Sequence, residues 1–139
     1  MKEKITFEYN PEIGTAYCLL EKNGTVVAGA AACHPDDMDF ASERTGCFIA
    51  EVRANIEMLR EERKLLSASL KTLNHILSNM QTSKHHNPKS YEAKMIRNQI
   101  KTLEKKIGMI NADIADEKQY LSEYLQNKEI MYRKHRGQT

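Results

Sequence analysis

The stretch KHHNPKSYEAKMIR, residues 84–97, places two histidines and an Asn-Pro step among four cationic side chains. Such a stretch can serve as a metal site, a phosphate site or a plain turn. His85 and His86 are adjacent, so on a helix their rings would point about 100° apart, which suits a single metal ion poorly. Zinc sites usually include a C-x2–4-C or H-x3–5-H pair, and elsewhere in the chain Cys18, Cys33 and Cys47 with His34 do not match these spacings. We therefore expect no metal here.

Cationic side chains continue beyond this stretch and outnumber the carboxylates. Residues 84–106 hold seven lysines and arginines against two glutamates. Arg97 and Lys101 are four apart and share a face of a predicted helix. Asn87 and Ser90 are rival candidates for the cap of this helix, and the free amide groups at its N-terminus would attract phosphate. Tyr91 and His86 could stack on a base. The alternative interpretation is a solvated basic helix surface.

Arg53 belongs to a second group of cations. It lies one heptad before Arg60, early in a predicted helix and near an alanine-rich strand, which makes it a candidate pocket wall. An i,i+4 ion pair with Glu57 is the alternative. The complete set of candidate ligand-binding residues is Arg53, His86, Asn87, Lys89, Tyr91, Arg97 and Lys101.

Common catalytic motifs are missing from the chain. It contains no G-x-S-x-G, Walker A, H-E-x-x-H or G-x-G-x-x-G pattern. The acidic cluster at residues 36–43 could hold a cation, but such a cluster is more typical of a helix start. Three cysteines without close pairing predict small buried residues and no disulfide framework. We expect a non-enzymatic protein with no catalytic residue, metal or cofactor.

Composition predicts one cytoplasmic domain. The 139 residues are 40% hydrophobic and 29% charged, and the net charge of +2 is too small to indicate a nucleic-acid-binding protein as a whole. No run of 18 apolar residues is present, and the N-terminal MKEKITFEYN lacks the features of a signal peptide. We expect no membrane partner and keep nucleic acid as a less favoured partner.

Residues 1–34 predict a three-stranded antiparallel meander. ITFEYN alternates apolar and polar side chains, as a half-buried strand does. Asn23-Gly24 between TAYCLLEK and TVVAGAAACH is a strong signal for a two-residue hairpin turn. The small residues of the third strand predict that a helix packs closely over the sheet. A turn and a short helix are expected at residues 35–46.

Two long helices are predicted at residues 47–81 and 90–135, with a turn at 82–89. Their apolar residues alternate in steps of three and four, which is a heptad pattern. These apolar residues form a continuous stripe along each helix, which we call its seam. Arg63 is the polar exception in the seam of the first helix, and an antiparallel hairpin would place it near Gly108. The predicted fold is therefore α+β, with the sheet followed by a coiled-coil-like helical hairpin.

An oligomer is expected because a small sheet cannot bury such long helices and has two open edges. A dimer through the helices or through the sheet edges would satisfy both. A polar seam residue such as Arg63 often fixes register and oligomeric state.

CHPDDMDFASERTGCFIAEVRANIEML and NPKSYEAKMIRNQI resemble small proteins of phages and prophages of Gram-positive bacteria. Among these, the chain is similar to the phage anti-Thoeris protein 1 family over nearly its whole length. The resemblance implies a non-enzymatic oligomer in the bacterial host that sequesters cyclic ADP-ribose signals. It assigns no binding residue by position. A phage inhibitor of a protein or nucleoprotein complex, similar to an anti-CRISPR, and a structural coiled-coil module are the alternatives.

Overall fold

The computed structural model describes residues 3–34, 37–38, 42–82, 87, 90–135 and 137. Three strands precede two long helices, in agreement with the predicted α+β class. The elements are β1 (Lys4–Asn10), β2 (Thr15–Lys22), β3 (Thr25–Ala32), α1 (Glu43–Gln81) and α2 (Tyr91–His135). Within these residues no helix is both long enough and apolar enough to cross a membrane.

The chain divides into two compact units, and both helices contribute to both. The first unit contains residues 1–59 and 114–139, and the second contains residues 60–113. The sheet and its covering helix segment belong to the first unit, and the predicted basic stretch belongs to the second.

The sheet has the order β1-β2-β3 with antiparallel neighbours, as predicted. The two-residue turn is confirmed, since Asn23 and Gly24 have φ values of 53° and 80° and lie between paired Lys22 and Thr25. Both central residues of this turn type need positive φ, which asparagine and glycine adopt at low cost.

The core lies between the sheet and the first turns of α1, and small residues build it. Ala16 and Cys18 of β2 and Ala50 and Ala54 of α1 are all fully buried. A Cβ atom at Gly29 of β3 would collide with the backbone of Ala50 and Ala54. The predicted close approach of a helix to the third strand is therefore confirmed.

The start of α1 differs from its predicted position at Cys47. The helix begins at Glu43, and the Ser42 hydroxyl accepts a hydrogen bond from the Thr45 amide at 3.4 Å, as an N-cap does. Gly46 does not break the helix. A Cβ there would lie 3.1 Å from the Cβ of Ala16, so this glycine is a packing position inside one continuous helix.

The predicted apolar seams are confirmed by burial. The seam residues of both helices are buried or half-buried up to residue 124, whereas most of their neighbours in the second unit are exposed. The sequence also predicts Met131 as a seam residue, but it is 50% exposed, and the half-buried side chains there are Lys128, Glu129 and Tyr132. From Tyr124 onward, the half-buried residues Tyr124, Lys128 and Tyr132 are spaced by four. A straight α-helix has 3.6 residues per turn, so its buried face drifts away from a strict heptad repeat.

Arg63 occupies its seam position in the second unit without being fully buried. Its Nη1 donates a 3.0 Å hydrogen bond to Oδ1 of Asn111, which lies about one helical turn beyond the predicted neighbour Gly108. A Cβ added to Gly108 would meet no atom of the described chain within 4 Å. Gly108 therefore does not make room for Arg63 or for any other described side chain.

Candidate functional site

A cavity of about 710 Å³ lies in the first unit, where the end of the sheet meets the start of α1 and the last turns of α2. Ile49, Leu125 and Ile130 give it apolar walls. Its remaining lining consists of Gly14, Ala31, Ala32, Cys33, His34, Asp37, Ser42, Thr45, Gly46, Ser122, Gln126, Lys128, Glu129, Tyr132 and Arg133.

The sheet side of the cavity is fixed by backbone hydrogen bonds. The Cys33 amide donates to the Gly14 carbonyl at 2.9 Å, and the Cys33 thiol donates to the Asp37 carbonyl at 3.2 Å. Gly14 has a φ of 65°, in the left-handed region that favours glycine. The chain after β3 is thereby held against the turn that follows β1.

The helix side of the cavity carries balanced charge. Arg133 Nε donates to Oε1 of Glu129 at 3.0 Å, a partly exposed i,i+4 ion pair. Burial raises the pKa of Tyr132, and the neighbouring Cys33, Tyr124 and Asp37 raise it further. Tyr132 therefore remains a neutral hydroxyl at physiological pH and can donate or accept a hydrogen bond.

The cysteines are poorly suited to nucleophilic chemistry. Burial raises the pKa of Cys33, and Asp37 adds to the effect. The pKa of Cys47 is raised by burial and by Glu43, and that of Cys18 by burial, by Glu51 and by Cys47. Because the thiolate is the reactive form, all three raised pKa values reduce reactivity near pH 7.

An aromatic groove of about 430 Å³ adjoins the cavity and shares Thr45 and Lys128 with it. We define the aromatic groove by its lining, which consists of Arg44, Thr45, Phe48, Tyr120, Tyr124 and Lys128. This lining contains three aromatic rings and two cations but no carboxylate.

The rings of the aromatic groove contact one another. The centroid of Phe48 lies 4.8 Å from that of Tyr124 and 6.1 Å from that of Tyr120, where the rings meet edge to face. Nζ of Lys128 lies 5.6 Å from the centroid of the Tyr124 ring, within cation–π range. Tyr120 is 55% exposed, so part of this aromatic surface is open to a ligand. Planar bases stack on such rings, and the cations can pair with phosphate.

The residues predicted to bind a ligand fall in both units. Arg53 lies in the first unit, where its Nη1 donates a 2.8 Å hydrogen bond to the Ala30 carbonyl. His86 and Lys89 lie outside the described residues. The other predicted residues, all in the second unit, are Asn87, Tyr91, Arg97 and Lys101.

In the second unit, the basic stretch at residues 84–106 includes the start of α2, which has a defined cap. Ser90, the rival candidate, caps α2 by accepting a 3.2 Å hydrogen bond from the Ala93 amide, and the Asn87 carbonyl accepts the Ser90 amide. Tyr91 is 73% exposed. Arg97 is half-buried and Lys101 is exposed.

Sequence reasoning missed the cavity and the aromatic groove. It followed the excess of cations at residues 84–106, whereas the last turns of α2 carry mixed charge. One local signal was present, because Tyr120 and Tyr124 are an i,i+4 aromatic pair on the helix, and Tyr124 is also a residue of the predicted seam.

Neither a search for metal sites nor comparison with known proteins assigns a function to these residues. Among the described residues, no group of three or more His, Cys, Asp and Glu side chains is arranged to hold a metal ion. The chain matches no family model, and it has no significant match among curated proteins or solved structures.

Proposed function

We propose that this chain is a non-enzymatic protein that captures a small nucleotide signal and holds it without converting it. Following the resemblance, the ligand is a cyclic ADP-ribose isomer and the role is to suppress a bacterial defence response during phage infection. The observation that carries the proposal is the aromatic groove, with its three rings and two cations, next to a cavity of about 710 Å³.

The chemistry of the two spaces fits a nucleotide of this size. The base of the nucleotide stacks against Tyr120 and Tyr124, and the phosphates of the nucleotide pair with Arg44 and Lys128. The remaining sugar enters the cavity, whose volume is within the usual 300–1,000 Å³ range for small-ligand sites. Its apolar walls with a few polar groups, among them the Tyr132 hydroxyl, are typical of such sites.

The absence of turnover is supported by the thiol chemistry. Cys33 is the cysteine that lines the cavity, and its raised pKa keeps it protonated near pH 7. Capture alone requires tight binding and slow release, so the protein needs no nucleophile with its base.

Calorimetry and thermal denaturation with purified cyclic ADP-ribose isomers test this proposal. We expect the ligand to raise the melting temperature and to be recovered chemically unchanged after heat denaturation. Tyr120→Leu should weaken binding about tenfold or more, because a base–aromatic stack contributes roughly 1–3 kcal/mol. Lys128→Gln should also weaken it.

Matched variants in the second unit locate the site. Tyr91→Leu and Arg97→Ala remove an exposed ring and a cation from the predicted basic face. If the nucleotide occupies the first unit, both leave affinity unchanged. If Arg97→Ala weakens binding and Tyr120→Leu does not, the basic face binds the ligand, as the sequence alone predicts. No response to any cyclic nucleotide would refute the proposed function.

Cysteine alkylation supplies an independent readout of the occupied space. Cys33 lines the cavity, whereas Cys47, also half-buried, does not. A bound nucleotide should therefore slow alkylation of Cys33 and leave the rate at Cys47 unchanged. Equal protection of both thiols would indicate general stabilisation of the fold.

We also infer that the helices form an antiparallel, coiled-coil-like hairpin that assembles with further copies. Phe48 contacts Tyr124 in the first unit, and Arg63 donates to Asn111 in the second. Exposed apolar side chains such as Leu65 (62% exposed) and Met109 (60% exposed) support assembly through the second unit.

A second candidate function is inhibition of a protein or nucleoprotein complex. It is favoured by the sheet face that points away from the core, where Tyr17, Leu19 and Val26 are each about half exposed. This function predicts co-purification with a defined target from infected cells and no thermal response to nucleotides.

A further inference from the structure

On the face of the sheet that packs against α1, the apolar side chains of β1 lie outside the area that α1 covers. Its register places Ile5 opposite Leu20 and Phe7 opposite Cys18, so these four side chains point to the same face. Leu20 and Cys18 are buried, whereas Ile5 is 40% exposed and Phe7 is 44% exposed. The core therefore has an uncovered apolar border along β1.

The two edges of the sheet differ. On β3, the Ala30 carbonyl accepts a hydrogen bond from Arg53, and Gly29 lies directly against the backbone of α1. β1 is the other outer strand, and no described strand pairs with its free side. An edge strand with an apolar face is a ready template for pairing with another strand.

We propose that β1 pairs antiparallel with β1 of a second copy, so that two three-stranded sheets form one six-stranded sheet. The pairing is centred on Thr6, which lies opposite Thr6 of the second copy. Ile5 then lies opposite Phe7 of the second copy on the core face, and the two uncovered borders cover each other. The contact is isologous, so it closes as a dimer.

Charge complementarity favours the second copy as the partner and favours this register over one centred on Phe7. In the register centred on Thr6, Lys4 faces Glu8 of the second copy, and the two-fold axis repeats this pair. Moving the centre to Phe7 would place Lys4 opposite Asn10 of the second copy and remove both ion pairs. The segment Lys4–Glu8 is therefore complementary in charge to itself.

Charge reversal with a compensating swap tests the pairing by sedimentation equilibrium. Lys4→Glu and Glu8→Lys should each weaken dimerisation about tenfold, because two opposite-charge pairs become two like-charge pairs. The double variant Lys4→Glu/Glu8→Lys should restore it. Glu8→Lys is the cleaner single variant, since Lys4 also faces Glu21 within its own sheet. Circular dichroism and thermal denaturation confirm that each variant is folded.

A monomeric wild-type protein at all concentrations would overturn the proposal. So would a dimer indifferent to both single variants, or one that the double variant does not restore. As a second measurement, Thr6→Cys should give a covalent dimer with a short thiol–thiol cross-linker, above the background of the native cysteines. Val26→Cys, at an exposed position on β3, should not; equal yields would also overturn the pairing.

Discussion

At the scale of single residues, two glycines predict opposite effects of the same substitution. Gly29→Ala should lower the free energy of unfolding by about 1–3 kcal/mol, because the new methyl group displaces α1 from the sheet. Gly108→Ala should raise it by about 1 kcal/mol, since Gly108 lies in a helix interior with open space where the Cβ would be.

Urea denaturation followed by circular dichroism measures both values under one set of conditions. The comparison separates packing from helix propensity, because the substitution is identical and only the surroundings differ. A Gly29→Ala variant as stable as the wild type would mean that α1 does not lie against β3 as described. A destabilising Gly108→Ala would indicate that a further copy of the chain packs on that side of α2.

At the scale of the elements, the start of α2 depends on Ser90. Its hydroxyl accepts the Ala93 amide, so Ser90→Ala should cost about 1 kcal/mol of unfolding free energy. Ser90→Asp should keep most of the stability, because aspartate caps equally well and favours the positive end of the helix dipole. Hydrogen exchange should show faster opening of the first turn of α2 in the alanine variant alone. Equal loss in both variants would argue against capping.

The elements show which features a sequence makes predictable. The strands, the Asn23-Gly24 turn and the helix seams follow from local patterns, and burial agrees with them as far as residue 124. The start of α1 was misplaced because residues 35–46 were assigned to a turn and a separate short helix, whereas α1 begins at Glu43 and continues through Gly46, which packs against Ala16. Local patterns report backbone preference, and tertiary packing overrides that preference where a small residue is needed.

The cavity was beyond local patterns for a related reason. Its lining combines the turn at Gly14, the first turns of α1 and the last turns of α2 around Tyr132, which are far apart along the chain. Only the tertiary structure brings those segments together. The basic stretch at residues 84–106, by contrast, is conspicuous in sequence because it is contiguous.

At the scale of the whole molecule, charge is distributed unevenly between the two units. The chain carries a net charge of only +2, but the five cations of residues 84–106 that the structure describes all lie in the second unit. The aromatic groove in the first unit adds Arg44 and Lys128 without a carboxylate in its lining. A long polyanion would engage the contiguous basic stretch, whereas a small dianion fits the groove.

Salt dependence distinguishes these two kinds of ligand. A nucleic acid held by six or more phosphate contacts should lose about a thousandfold or more in affinity between about 50 and about 200 mM salt. A cyclic ADP-ribose isomer, which has two phosphates, should lose about tenfold or less, because it releases few counterions and gains much of its affinity from stacking. Calorimetric titration at several salt concentrations measures the slope, with Arg97→Ala as the control for the second unit and Lys128→Gln for the first.

We expect the shallow slope, and we expect Lys128→Gln to flatten it further while Arg97→Ala leaves it unchanged. A steep slope that Arg97→Ala reduces would instead assign the protein to nucleic-acid binding through its basic stretch.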